Sequence, residues 1–116
     1  CYDHLAGKIG VLLTQALLKQ KYITLVDKDY VITSPGKKFF ATFGINTTQL
    51  TNTRRRLAYP CLDWSERVHH LAGALGAALL QSIIEKRWGI RSKKSRALHL
   101  TPLGQHKLNS VFKIKT

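Results

Sequence analysis

Behind Asp3, the apolar residues Leu5, Ile9, Leu12, Leu13, Ala16 and Leu17 return at helical spacing, with Lys8, Gln15 and Lys19 between them. This predicts an amphipathic helix capped by Asp3 and running to about Gln20. Residues 22–26 and 30–33 are rich in β-branched and aromatic types and flank Asp27-Lys28-Asp29, a turn-forming run, so they predict a short hairpin. Thr33 or Ser34 can cap the next helix, where Pro35 suits the first turn, Phe39, Phe40 and Phe43 form an apolar face, and Gly44 marks the end.

The pattern then changes and starts again. Asn46-Thr47-Thr48-Gln49 carries a capping signal for a short helix to about Arg56, and Pro60 ends this linker. Asp63 followed by Glu66 reads as a capping box, which predicts a helix starting there and running to about Lys86 or Arg87. That start lies one or two turns earlier than in the first helix. Residues 88–91 and 96–100 predict a second hairpin, and Thr101-Pro102-Leu103-Gly104 opens a last helix.

The second half echoes the first. Cys1-Tyr2-Asp3-His4-Leu5-Ala6-Gly7 returns as Cys61-Leu62-Asp63-Trp64 and, after an insertion, His70-Leu71-Ala72-Gly73. From His4 and His70 onward one offset pairs Leu13 with Leu79, Leu17 with Ile83, Lys21 with Arg87 and Tyr22 with Trp88; past the hairpins a slightly larger one pairs Thr33 with Thr101, Gly36 with Gly104 and Phe40 with Leu108. The expected fold is α+β and mainly helical: a tandem, pseudo-symmetric repeat of helix–β-hairpin–helix units resembling winged helices. One domain of residues 1–116 is expected, made of repeat 1 (1–45), a linker helix (46–60) and repeat 2 (61–116). Gly7, Gly10, Gly73 and Gly76 fall inside the predicted helices, where each costs about 1 kcal/mol against alanine, so a close helix–helix approach between the repeats is expected to compensate. The aromatics Tyr22, Phe39, Phe40, Phe43 and Trp88 are expected in the core.

Composition narrows the functional classes. An apolar fraction of 44% suits a globular domain. Nineteen Lys and Arg against six Asp and Glu give a formal charge of +13, so an anionic partner is favoured, nucleic acid first, although a basic solvated surface gives the same count. The longest apolar stretch, around residues 71–80, is too short and too soon interrupted by Gln81, Ser82 and Glu85 to span a membrane. Two cysteines, Cys1 and Cys61, with no CxxC pair and no signal peptide, favour a reducing cytoplasm over a disulfide scaffold. The chain starts at Cys1 and contains no methionine, from which upstream sequence is expected to be missing.

The Thr33-Ser34-Pro35-Gly36 and Thr101-Pro102-Leu103-Gly104 steps resemble the T-P-x-G step that follows the wing in winged-helix regulators. Together with the strings beginning Cys1-Tyr2-Asp3-His4 and Cys61-Leu62-Asp63-Trp64, with His70-Leu71-Ala72-Gly73-Ala74-Leu75-Gly76 and Ser95-Arg96-Ala97-Leu98, they make nearly the whole chain resemble the C-terminal region of ArsR-type transcriptional regulators. The resemblance implies a bacterial cytoplasmic repressor whose N-terminal winged helix, absent from this chain, reads operator DNA. The present half would then sense an effector, form a homodimer, or both. The chain departs from metal-sensing members in lacking a closely spaced multi-cysteine box.

Candidate chemistry follows from the repeated strings. Cys1, Asp3 and His4 with Cys61, Asp63, His69 and His70 place thiol, carboxylate and imidazole groups at equivalent points, and a pseudo-symmetric pack would join them into a site for a thiophilic metal such as zinc. The structural reading is favoured over it: the two aspartates as helix caps and the cysteines as small buried side chains. Trp64, just after a cap, and Arg67 are placed at a ligand cleft. Arg91, Lys93, Lys94 and Arg96 give the second hairpin a basic, wing-like tip for nucleic-acid phosphates, helped by Lys19, Lys21, Lys86 and Arg87. Arg54-Arg55-Arg56 could grip phosphate, but is read as a solvated match to a helix C-terminus. With no nucleophile elbow, H-E-x-x-H or P-loop, no enzyme is expected.

Overall fold

The computed structural model describes residues 7–63, 68–91 and 98–113. Helix α1 (Gly7–Lys19) leads into strands β1 (Ile23–Val26) and β2 (Asp29–Ile32), then helix α2 (Ser34–Ala41) and a single turn and a half, α3 (Thr47–Thr51). Strands β3 (Tyr59–Asp63) and β4 (Val68–Ala72) precede helix α4 (Ala74–Glu85), strands β5 (Gly89–Arg91) and β6 (Leu98–Leu100), and helix α5 (Pro102–Val111). The fold is mixed α and β, with five helices and three antiparallel two-stranded hairpins among the described residues.

Each helix–hairpin–helix segment is closed by the same local chemistry. At the end of α1 the Lys21 and Tyr22 N–H groups donate back to the Leu18 and Leu17 carbonyls, and Lys21 sits at a φ of 62°. At the end of α4 the Arg87 and Trp88 N–H groups donate to Ile84 and Ile83, with Arg87 at 60°. This is the left-handed helix stop that a glycine usually fills. The hairpin then returns the chain to the same place. Thr33 accepts the Gly36 N–H on its hydroxyl (3.0 Å) as cap of α2 and donates that hydroxyl to the Lys21 carbonyl (2.7 Å). Thr101 does the same for α5, accepting from Gly104 (3.0 Å) and donating to Arg87 (2.7 Å).

These joints leave no room for a side chain. A Cβ on Gly36 would stand 2.0 Å from the Tyr22 carbonyl oxygen, and one on Gly104 would stand 1.8 Å from that of Trp88. Above the joints the aromatics interlock across the two segments. Phe39 stacks on Tyr22 at 4.2 Å and meets Phe112 edge-on, while Phe43 stacks on Phe112 and meets Trp88 edge-on. Leu13, Leu17, Phe40, Leu75, Leu79, Ile83 and Leu108 complete the core.

Three sequence expectations are corrected. The Asp63–Glu66 capping box does not start a helix: Asp63 ends β3, which pairs with β4 from Tyr59↔Ala72 to Asp63↔Val68, and α4 begins at Ala74. Tertiary pairing overrides the capping signal here, because β4 lies against α1. The Leu71 N–H donates to the buried Thr14 hydroxyl (2.7 Å), which itself donates to the Gly10 carbonyl (2.8 Å).

The linker helix expected to about Arg56 stops at Thr51. Beyond it the chain must stay extended, since its carbonyls serve neighbours: Arg56 and Leu57 accept from the Ala74 and Leu75 N–H groups, and Ala58 accepts from Tyr30. Finally, Gly73 is not a helix interior residue at a helix crossing. It caps α4 at a φ of 91°, and a Cβ there would strike the Arg56 and Leu57 carbonyls at 2.6 and 2.8 Å.

Gly36→Ala and Gly104→Ala should each lower stability by about 1–3 kcal/mol, the cost of forcing atoms into a packed site, read as a lower urea midpoint with unchanged slope. Thr14→Val keeps the shape but leaves the Leu71 N–H without its acceptor, so it should cost about 1–3 kcal/mol. Thr14→Ser should recover most of that; equal losses in both variants would show that the methyl group, not the hydroxyl, matters.

Candidate ligand cleft and basic surface

The Asn46 side chain accepts the Gln49 N–H (3.0 Å) and so fixes where α3 begins, which buries Thr47 at 6% exposure. On the facing side, the Tyr30 N–H to Ala58 bond (3.0 Å) lays the extended linker along β2. Between α3, β2 and this linker lies a half-open cleft of about 430 Å³, whose lining includes Tyr30, Ile32, Lys37, Thr47, Asn52 and Leu57. A smaller hollow of about 270 Å³ shares Lys37 and Thr47. Burial pushes the Tyr30 phenol above its ordinary value of 10.0, so it stays neutral.

At the rim, Arg56 Nε donates to Asp29 (2.9 Å) and its Nη2 bonds the same carboxylate and the Lys28 carbonyl. The guanidinium also lies 4.2 Å over the Tyr59 ring. The hydrogen bond with Asp29 raises the already high Arg56 pKa further, so this residue is a fixed cation. Arg56 is thus a tie between the first hairpin and the linker rather than an end-of-helix charge. Arg54 and Arg55 beside it are exposed, as are Lys19, Lys21, Lys86 and Arg87, and Lys86 reaches over the Phe43 ring at 5.9 Å.

The candidate metal residues are only partly brought together. Cys61 and His70 are direct cross-strand partners, Cys61 half-buried and His70 buried, whereas His69 pairs with Leu62 and is exposed. Asp63 pairs with Val68 at the far end of the same ladder. Cys1, Asp3 and His4 lie outside the described residues, and among the described residues no group of three or more His, Cys, Asp or Glu could hold a metal ion. Trp64 and Arg67, expected at a cleft, also lie outside them, as do Lys93, Lys94 and Arg96; Arg91 is half-buried in β5. No helix among the described residues is long and apolar enough to cross a membrane.

Sequence reasoning missed the cleft formed by Tyr30, Lys37, Thr47 and Asn52. Only the Asn46 cap signalled part of it; the approach of α3 to β2 depends on the linker that was expected to be helical. Because the unfolded chain ionises Tyr30 first, its share of stability is present below about pH 10 and is lost as pH rises through the higher folded value. Thermal melts from about pH 9 to about pH 11 should therefore show the parent losing stability relative to Tyr30→Phe; parallel curves would contradict this.

No family model matches the chain, and no solved structure matches it. Over 115 residues, 99% of the chain, it is 45% identical to the HTH-type transcriptional regulator YdfF of Bacillus subtilis (strain 168). The alignment takes in 51% of that protein, so the chain spans about half the length of the curated relative it matches.

Proposed function

We propose that the chain is the non-catalytic regulatory half of a bacterial, cytoplasmic transcriptional regulator of the ArsR type, acting in effector sensing, in dimerisation, or in both. The alignment carries this reading: it runs through 99% of the chain and through about half of a protein named as a transcriptional regulator. In this reading operator DNA is contacted by the full-length protein through a separate DNA-reading part. The matched stops at Lys21 and Arg87 and the matched caps at Thr33 and Thr101 support a duplicated helix–hairpin–helix unit.

A second reading has its own observation. The charge of +13, with Lys19, Lys21, Lys86 and Arg87 exposed, favours a winged-helix-like module that contacts DNA phosphates itself through its basic hairpins. Anisotropy titrations of this chain with several duplexes of unrelated sequence separate the two. The phosphate-contact reading expects binding that is equal for every duplex and falls roughly tenfold or more between about 50 and 200 mM salt, whereas the regulatory reading expects no saturable binding to any of them at the lower salt. Tight binding that prefers one sequence and survives the higher salt would overturn it.

A further inference from the structure

The cleft between α3, β2 and the linker has the composition of a binding site, and three observations decide what would fit. Tyr30 and Thr47 are 5% and 6% exposed and both line the cleft. The Thr47 main-chain carbonyl accepts the Thr51 hydroxyl (2.8 Å), and neither the Thr47 nor the Tyr30 side-chain hydroxyl takes part in a hydrogen bond among the described residues. Both hydroxyls border the hollow and neither is a buried atom left without a partner, so a ligand there would replace water at them. Lys37, an exposed residue, is on the lining and has no carboxylate partner among the described residues; Asp29, also on the lining, is bonded to Arg56. Val31, Ile32, Leu57 and Ala58 supply an apolar wall, and about 430 Å³ lies within the range of small-molecule sites.

We infer that this cleft binds a small organic anion, an apolar body bearing one carboxylate or phosphate, with the anion at Lys37, the body on Ile32 and Leu57, and hydrogen bonds from Thr47 and Tyr30. A neutral phenol suits this role, since it donates to the ligand without repelling it. A cationic ligand would meet Lys37 and the field of a strongly basic molecule. The site also touches the part of the chain that joins the two segments. Leu57 lines the cleft, and its carbonyl accepts the Leu75 N–H at the start of α4 (2.8 Å). Binding is therefore coupled to the mounting of α4; that this coupling serves gene regulation rests on the regulatory reading above.

The test uses four probes of one shape: benzoate, phenyl phosphate, benzamide and benzylamine, titrated into the ¹⁵N-labelled chain. Benzoate or phenyl phosphate should give saturable amide shifts at residues 30–32, 47–52 and 57–58, and comparison of the two assigns carboxylate or phosphate. Benzamide should bind at least about fivefold more weakly, and benzylamine should not bind. Thr47→Val and Lys37→Gln should each weaken the anion about fivefold or more, and the exposed Lys37 keeps the test open if the buried variant folds poorly. The inference is overturned if neither anion gives saturable shifts at the cleft up to roughly 10 mM, if benzylamine binds as well as benzoate, or if Lys37→Gln leaves affinity unchanged. None of these outcomes depends on how the chain behaves toward DNA, so the two readings fail separately.

Discussion

The Tyr22 and Trp88 carbonyls rest against the backbone of the first turns of α2 and α5. Only the absence of a side chain at Gly36 and Gly104 allows it. The threonine before each helix turns that contact into a lock, since one hydroxyl both caps the new helix and grips the end of the old one. Tyr22 and Trp88 are the residues held by these locks, and they are also the residues that start the aromatic cluster. The direction in which each hairpin leaves its helix, and hence the layout of the core, follows from this one steric allowance.

Cohesion between the segments comes from two further sources. Phe39 and Phe43 from the first meet Phe112 and Trp88 from the second, so the aromatic face that the sequence shows on α2 becomes the seam. On the other side, α1 is joined to β4 by the Thr14 hydroxyl, a buried polar group that both donates and accepts. Apolar packing alone would let α1 slide along the hairpin; the hydrogen bond fixes its position.

The parts of the fold legible in the sequence are those set by neighbours in the chain. The cap at Thr33, the Pro–Gly helix start at Thr101, the turn at Asp27-Lys28-Asp29 and the apolar stripe of α1 each depend on a few consecutive residues. The β3–β4 hairpin was not legible, because Asp63 and Glu66 offer a good local helix start and only pairing with α1 decides against it. The cleft was hidden for the same reason. Tyr30, Lys37, Thr47 and Leu57 come from four separate segments, and no spacing rule connects them. The basic residues were visible as composition, but the role of Arg56 as a tie to Asp29 requires the folded turn.

Arg56 and Leu57 also change what kind of segment joins the two halves. The side chain of Arg56 holds the turn of the first hairpin, its carbonyl and that of Leu57 seat the first two amides of α4, and Ala58 pairs with β2. Connecting loops ordinarily tolerate insertions because little depends on their length. This one is a strut of fixed length: one residue more or fewer between Asn52 and Tyr59 would move three sets of partners out of step together. Natural length variation in relatives of this chain should therefore collect at the hairpin turns and leave this plain-looking stretch untouched.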